Sequence, residues 1–149
     1  MRAAPLALAL LMSLGLAACG EPKPKPAAEA PQVTIGGPFS LVDVNGRPVS
    51  EKTLLGKPSA VFFGFTYCPE VCPTTLAEMG AALKALGKHA DKLNVVFVSV
   101  DPERDTPEQM KLYLSNFDPR ILGFTGAPEQ VDAAAKAYKV YHQRVATDG

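Results

Sequence analysis

The sequence predicts an α/β domain, with a central mixed sheet flanked by helices and an N-terminal β-hairpin. Three observations carry this. Residues 59–66 and 93–100 are continuous apolar runs rich in β-branched and aromatic residues, as buried strands are. Segments with helical spacing or helix-capping residues follow each run. The Asn45-Gly46 dipeptide sits after a segment of alternating apolar and polar residues, the pattern of a tight hairpin.

The first 18 residues read as a leader rather than as fold. Arg2 supplies a positive start, residues 6–16 form an apolar stretch too short to span a bilayer, and Ala17-Ala18 precede Cys19. The ending Leu16-Ala17-Ala18-Cys19 resembles a bacterial lipobox, which implies a lipidated Cys19 and an extracytoplasmic protein anchored to a bacterial membrane. Residues 20–32 are rich in Pro, Lys and Ala and hold nothing to bury. Such a segment is extended, at about 3.1 Å per residue, and with Cys19 would form a tether over residues 19–32. The domain is expected over residues 33–149.

Within it, residues 39–44 form the first strand, Asn45-Gly46 the turn, and residues 47–49 the return strand. Ser50 caps a short turn that Gly56 stops. Residues 59–66 are expected to be a central strand buried on both sides. After Tyr67-Cys68-Pro69-Glu70-Val71-Cys72-Pro73 comes a helix to about residue 85 or 88, with Leu76, Met79, Leu83 and Leu86 as its buried stripe. Residues 93–100 are a second buried strand. Thr106-Pro107-Glu108-Gln109 opens a helix to about Phe117: a cap, Pro in the first turn, and Gln three residues after the cap. Residues 121–124 form a short strand, Pro128-Glu129-Gln130 opens a helix to about Tyr138, and residues 140–145 suggest a last strand. Alternating strands and helices imply parallel pairing with right-handed crossovers. Thioredoxin-like folds fit this order and place a reactive Cys after the first central strand.

The 149 residues suffice for one domain. Lys plus Arg and Asp plus Glu are both 15, so no basic face for nucleic acid is implied. Of three Cys, a lipidated Cys19 leaves Cys68 and Cys72. A pair four residues apart closes too short a loop to stabilise a domain usefully, so these thiols are chemical rather than structural. On helical geometry they share one face, with Cα atoms about 6 Å apart, within disulfide range. A helix N-terminus favours the thiolate, the form needed for metal binding and for thiol–disulfide exchange. Two soft thiolates suit Cu(I), and added imidazole suits Cu(II). Zinc at a structural site takes four ligands, and His89 falls at the far end of the helix. The competing structural role, two Cys packed as small hydrophobes, fits poorly with Pro69, Glu70 and Pro73 around them.

At Gly64-Phe65-Thr66-Tyr67-Cys68-Pro69-Glu70-Val71-Cys72-Pro73 the chain resembles the Sco/SenC family. Residues 98–107, Val-Ser-Val-Asp-Pro-Glu-Arg-Asp-Thr-Pro, match a second block of that family, and Phe124-Thr125-Gly126 and Tyr138-Lys139-Val140 also fit. The resemblance implies a thioredoxin-like fold that binds one copper ion through two Cys and a later His. It implies a role in assembling the copper A centre of cytochrome c oxidase, either by delivering copper or by reducing the thiols of the oxidase subunit. Other periplasmic copper carriers or thiol reductants would be further partners. By this match Cys68 and Cys72 are the copper thiolates and the redox pair, able to form a disulfide. Asp101 matches a family Asp near the site, where it would act electrostatically; alternatively it is an Asp-Pro turn after a strand.

The family's His lies in an Asp-His-Ser-like block on a later strand, and no such block occurs within these residues. The resemblance therefore places the His ligand beyond Gly149. The chain is expected to be C-terminally incomplete, to leave a sheet edge uncovered, and to favour Cu(I) over Cu(II). His142 does not match the ligand position and is expected to face outward. The main alternative function is a periplasmic thiol–disulfide oxidoreductase without copper delivery. The Cys-x-x-x-Cys spacing argues for metal over that reading, because thioredoxin-type enzymes use Cys-x-x-Cys. A peroxidase-like relative would need Thr and Arg support around its Cys that the sequence does not clearly place.

Overall fold

A computed structural model describes residues 34–143. The leader, Cys19, the tether and residues 144–149 lie outside the described residues. So does Gly149, and with it the chain end beyond which the family His ligand is expected. Strand β1 (Ser40–Asp43) and strand β2 (Pro48–Ser50) form the expected antiparallel hairpin, with Ser40 opposite Ser50 and Val42 opposite Pro48. The turn between them needs a positive φ, and Gly46 supplies it at +74°. The Asp43 carboxylate holds the same turn by accepting the backbone N–H groups of Asn45 and Arg47 at 2.8 and 3.0 Å. Ser50 then caps a 3-10 helix, Glu51–Leu54, through a bond from Lys52 N–H to its hydroxyl.

Strand β3 (Ser59–Gly64), helix α1 (Val71–Leu86), strand β4 (Asn94–Ser99), helix α2 (Pro107–Leu114), strand β5 (Ile121–Thr125) and helix α3 (Pro128–Ala137) follow. The sheet order is β2-β1-β5-β4-β3. Strands β3, β4 and β5 are parallel, and β1 joins β5 antiparallel, so the sheet is mixed as expected.

Helices α1 and α2 cover one face, where Leu76, Leu83, Phe97, Met110 and Leu114 pack. Helix α3 covers the other, where Leu41, Val96, Val98, Phe124, Val131 and Ala134 meet. Alternate residues of β4 serve the two cores, and β4 is buried from Val95 to Ser99. Gly123 of β5 leaves room for both layers, because a Cβ there would run into Leu114 Cδ1 and lie 2.7 Å from Val44 Cγ1.

Four expectations need correction. Strand β3 is not central: among the described residues it pairs only with β4, and its residues 60–63 are half-buried. An apolar run reads alike in a central strand and in an edge strand that keeps both faces partly covered. Leu86 is exposed, because at about 100° per residue it lies about 80° around α1 from Leu76, whereas Leu83 lies only about 20° away. Helix α2 stops at Leu114, and the next residues turn towards β5. Residues 140–143 form no strand, although Val140 N–H closes on the Ala135 carbonyl at 2.8 Å.

Candidate metal and redox site

The parallel strands β3, β4 and β5 all end at one edge, where loops build sites in α/β folds. The loop after β3 carries the sulfurs. A turn over residues 65–68 is closed by Cys68 N–H on the Phe65 carbonyl at 3.2 Å. Helix α1 starts only at Val71, so Cys68 is outside it and Cys72 is in its first turn. The expected common helical face is therefore replaced by a loop residue turned onto a helix mouth. Pro69 explains the difference, since a residue before Pro is driven out of the helical region. Pro73 in the first turn has no N–H to leave unsatisfied.

The helix has no side-chain cap from Glu70. The Cys68 sulfur takes that place, accepting the Cys72 N–H at 3.2 Å. Burial pushes the Cys68 thiol up, but the Cys72 thiol and the N–H groups of Cys72, Glu70 and Val71 outweigh it and bring its pKa below the ordinary value. Cys72 moves the other way. Burial, its bond to the Cys68 sulfur, and the charges of Cys68 and Asp105 push it up to about 11, against a pull from the Phe65 backbone. Both thiols are free; Cys68 is half-buried and Cys72 only 5% exposed. The pair therefore has an outer sulfur poised to ionise and an inner one held protonated.

Gly64 lets the inner sulfur sit against the sheet. A Cβ at Gly64 would lie 2.9 Å from Cys72 Sγ and 2.8 Å from Phe97 Cε2. The Tyr113 ring packs against Phe97, and its hydroxyl is buried with no hydrogen-bond partner among the described residues. Burial and the charges of Cys72, Cys68 and Asp105 push its pKa up to about 12.

Asp101 follows β4 and does not touch the sulfurs. Its N–H donates to Ser99 Oγ at 3.0 Å, and its carboxylate pairs with Arg104. Arg104 in turn lies over the Tyr67 ring, 4.8 Å from its centre. Asp101 thus reaches the Cys loop through Arg104 and the residue before Cys68. His142 Nε2 lies 3.2 Å from Asp132 Oδ1 on α3, and His89 sits in the 3-10 helix Gly87–Lys92 beyond α1. Among the described residues no cluster of three or more His, Cys, Asp or Glu gathers as a metal site. Sequence reasoning missed Asp105, which is wholly buried and bonded to the Cys loop. Its Asp-Thr-Pro context looks only like the approach to a helix cap.

These features define a thioredoxin-like dithiol protein, with one sulfur in a loop and one at a helix mouth. The SCO1/SenC family model matches residues 27–149, and the chain belongs to that family. It is 53% identical to Bradyrhizobium japonicum ScoI, solved with copper bound, over 77% of this chain and 73% of that one, with a TM-score of 0.75. The mitochondrial SCO1 homolog 1 of Arabidopsis thaliana is 42% identical over 121 residues, 80% of this chain and 36% of that protein. The protein BsSco, described as having a disulfide switch and as a member of the Sco family of cytochrome c oxidase assembly proteins, is 26% identical, with 74% of this chain and 68% of that chain covered and a TM-score of 0.63. The chain spans between 36% and 49% of the length of the first curated relatives it matches.

Proposed function

We propose that this chain carries Cu(I) on Cys68 and Cys72 for assembly of the copper A centre of cytochrome c oxidase. The observation that carries this reading is the convergence of two sulfurs, one ionising easily, at the mouth of α1. Two thiolates make a soft donor set suited to Cu(I), and the copper-bound state of ScoI supports copper as the metal here. Copper is cargo in this reading. Chelation needs both sulfurs as thiolates: Cys68, with its lowered pKa, ionises first and Cys72 must give up its proton, so loading releases protons and tightens as pH rises. Cys19 would be the lipid anchor after removal of residues 1–18, with residues 19–32 holding the domain off an extracytoplasmic membrane surface. Among the described residues no helix is long and apolar enough to cross a membrane.

The opposed thiol acidities favour a second use, reduction of a disulfide in the oxidase subunit. The Cys68 thiolate attacks a partner sulfur and forms a mixed disulfide, releasing one partner thiolate. Cys72 then attacks Cys68, releasing the second. The partner gains two electrons, and Cys68 and Cys72 end as a disulfide. BsSco's disulfide switch supports this alternative.

Titration of the reduced chain with Cu(I) against a competing chelator tests the first use. One-to-one binding that is lost in Cys68→Ala and in Cys72→Ala is expected. Turnover of a model disulfide with no Cu(I) binding would leave only the second.

A further inference from the structure

Asp105 is wholly buried, yet its carboxylate is surrounded by donors from the strand ends. Thr66 gives it two bonds, the backbone N–H to Oδ2 at 3.0 Å and the hydroxyl to Oδ1 at 2.5 Å. Ser99, the last residue of β4, donates its hydroxyl to Oδ2 at 2.6 Å. The Asp105 carbonyl accepts the hydroxyl of Thr125, the last residue of β5, at 2.9 Å. Its own N–H donates to the Asp101 carbonyl at 2.9 Å. One residue thus ties together the loop after β3, the end of β4, the end of β5 and the approach to α2.

Thr66 is where this tie meets the chemistry. It is the first inner residue of the turn over residues 65–68, whose closing bond comes from Cys68 N–H. The other inner residue, Tyr67, lies under Arg104, which Asp101 holds. Asp101 N–H donates to the same Ser99 hydroxyl that donates to Asp105. The turn is therefore clamped at both inner positions by one connected polar network. A buried carboxylate is costly unless fully bonded, and the apolar core nearby offers no reason for one. The bonds it makes are the ones that fix where Cys68 stands relative to Cys72.

We propose that Asp105 is a positioning residue for the dithiol: through the two bonds from Thr66 it holds the Cys68 turn at the spacing from Cys72 that copper binding and disulfide formation require. This rests on reading Cys68 and Cys72 as the copper and redox pair. The charge of Asp105 also pushes the Cys72 thiol up, which opposes ionisation of the inner sulfur, and the Thr66 variants keep that charge and so read the positioning role apart from it.

The test uses the full chain with Thr66→Val, Thr66→Ser and Asp105→Asn. Thr66→Val keeps the branched shape and the N–H but removes the hydroxyl donor; Thr66→Ser keeps the donor. A single Asn oxygen cannot accept what two carboxylate oxygens accept, so Asp105→Asn should act more strongly. The readouts are Cu(I) affinity by chelator competition and the Cys68–Cys72 dithiol–disulfide equilibrium against glutathione, beside the thermal midpoint. Losing a hydrogen bond to a charged group should change both readouts about tenfold or more in Thr66→Val. Thr66→Ser should restore both, and Thr66→Val combined with Asp105→Asn should cost less than the two separately. If Asp105→Asn fails to fold, the two Thr66 variants decide. A folded Thr66→Val with a lower melting point but unaltered affinity and equilibrium would overturn the proposal, leaving Asp105 a purely structural tie. If the unmodified chain takes up no Cu(I), the copper reading fails, and the glutathione equilibrium alone decides the positioning role.

Discussion

The two sulfurs stand side by side but are held by different forces. Cys72 rides on α1, whose inner face is fixed by Leu76 and Leu83 against Phe97 of β4. Burial of that face is nondirectional and large, worth about 1.5–3 kcal/mol per fully buried side chain. Cys68 rides on a turn with little to bury: Tyr67 and Val71 around it are exposed. That turn is fixed by directed bonds to Asp105 and by the Asp101–Arg104–Tyr67 contact. One sulfur is thus placed by the core and the other by a polar network. Overall stability and site geometry should therefore respond to different substitutions.

The largest expected effect breaks the core side alone. Leu76 is fully buried, and Leu76→Ala should cost about 2–5 kcal/mol, seen as a lower urea midpoint. Where the variant remains folded, the rate at which iodoacetamide modifies Cys68 should stay close to that of the unmodified chain, because its turn keeps every bond to Asp105. A large change in that rate would mean that the two supports are not separate.

A smaller effect strikes where the two supports meet. Gly64→Ala would set a methyl group 2.8 Å from Phe97 Cε2 and 2.9 Å from Cys72 Sγ. The overpacking should cost about 1–3 kcal/mol and displace the inner sulfur, lowering Cu(I) affinity as well as the urea midpoint. An unchanged affinity with a lowered midpoint would show that the sheet absorbs the methyl group and that Gly64 serves packing only.

The same division explains what was legible in the sequence. Features that depend on neighbours in the chain could be read directly: the Asn45-Gly46 hairpin, the Thr106 cap with Pro107 after it, and the apolar runs of β3 and β4. The motif around Cys68 and Cys72 was equally visible. The start of α1 was readable too, since Pro69 excludes Cys68 from a helix, but a spacing of four between the Cys residues also fits one helical face and hides the break. The edge position of β3 depends on which strand lies beside it, and no local pattern carries that. Asp105 stayed hidden for the same reason. Its partner Thr66 is 39 residues away, and nothing in Arg104-Asp105-Thr106 distinguishes a buried acceptor from a solvated one. Burial and partner are both properties of the folded sheet end.

The smallest effect, and the sharpest probe of the comparison, is the acidity of the two thiols. The Cys72 thiol and the N–H groups at the mouth of α1 lower the Cys68 pKa, whereas the burial that positions Cys72 raises its pKa to about 11. At mildly alkaline pH, timed alkylation followed by peptide mass spectrometry should find Cys68 modified well before Cys72. The Cys72 rate should climb only as pH approaches about 11. In Cys68→Ser the sulfur partner and its charge are gone, so the Cys72 profile should move to lower pH. The sign for stability follows from the same shift. An unfolded Cys72 ionises near 9, so its preference for the protonated native state is fully present below pH 9 and is lost as pH rises towards 11. The chain should therefore become easier to unfold in urea across that window, and Cys72→Ala should lessen the slope. Equal alkylation rates for the two sulfurs across the whole range would show that loop and helix mouth give them one environment, and the division between core and network would not reach the chemistry.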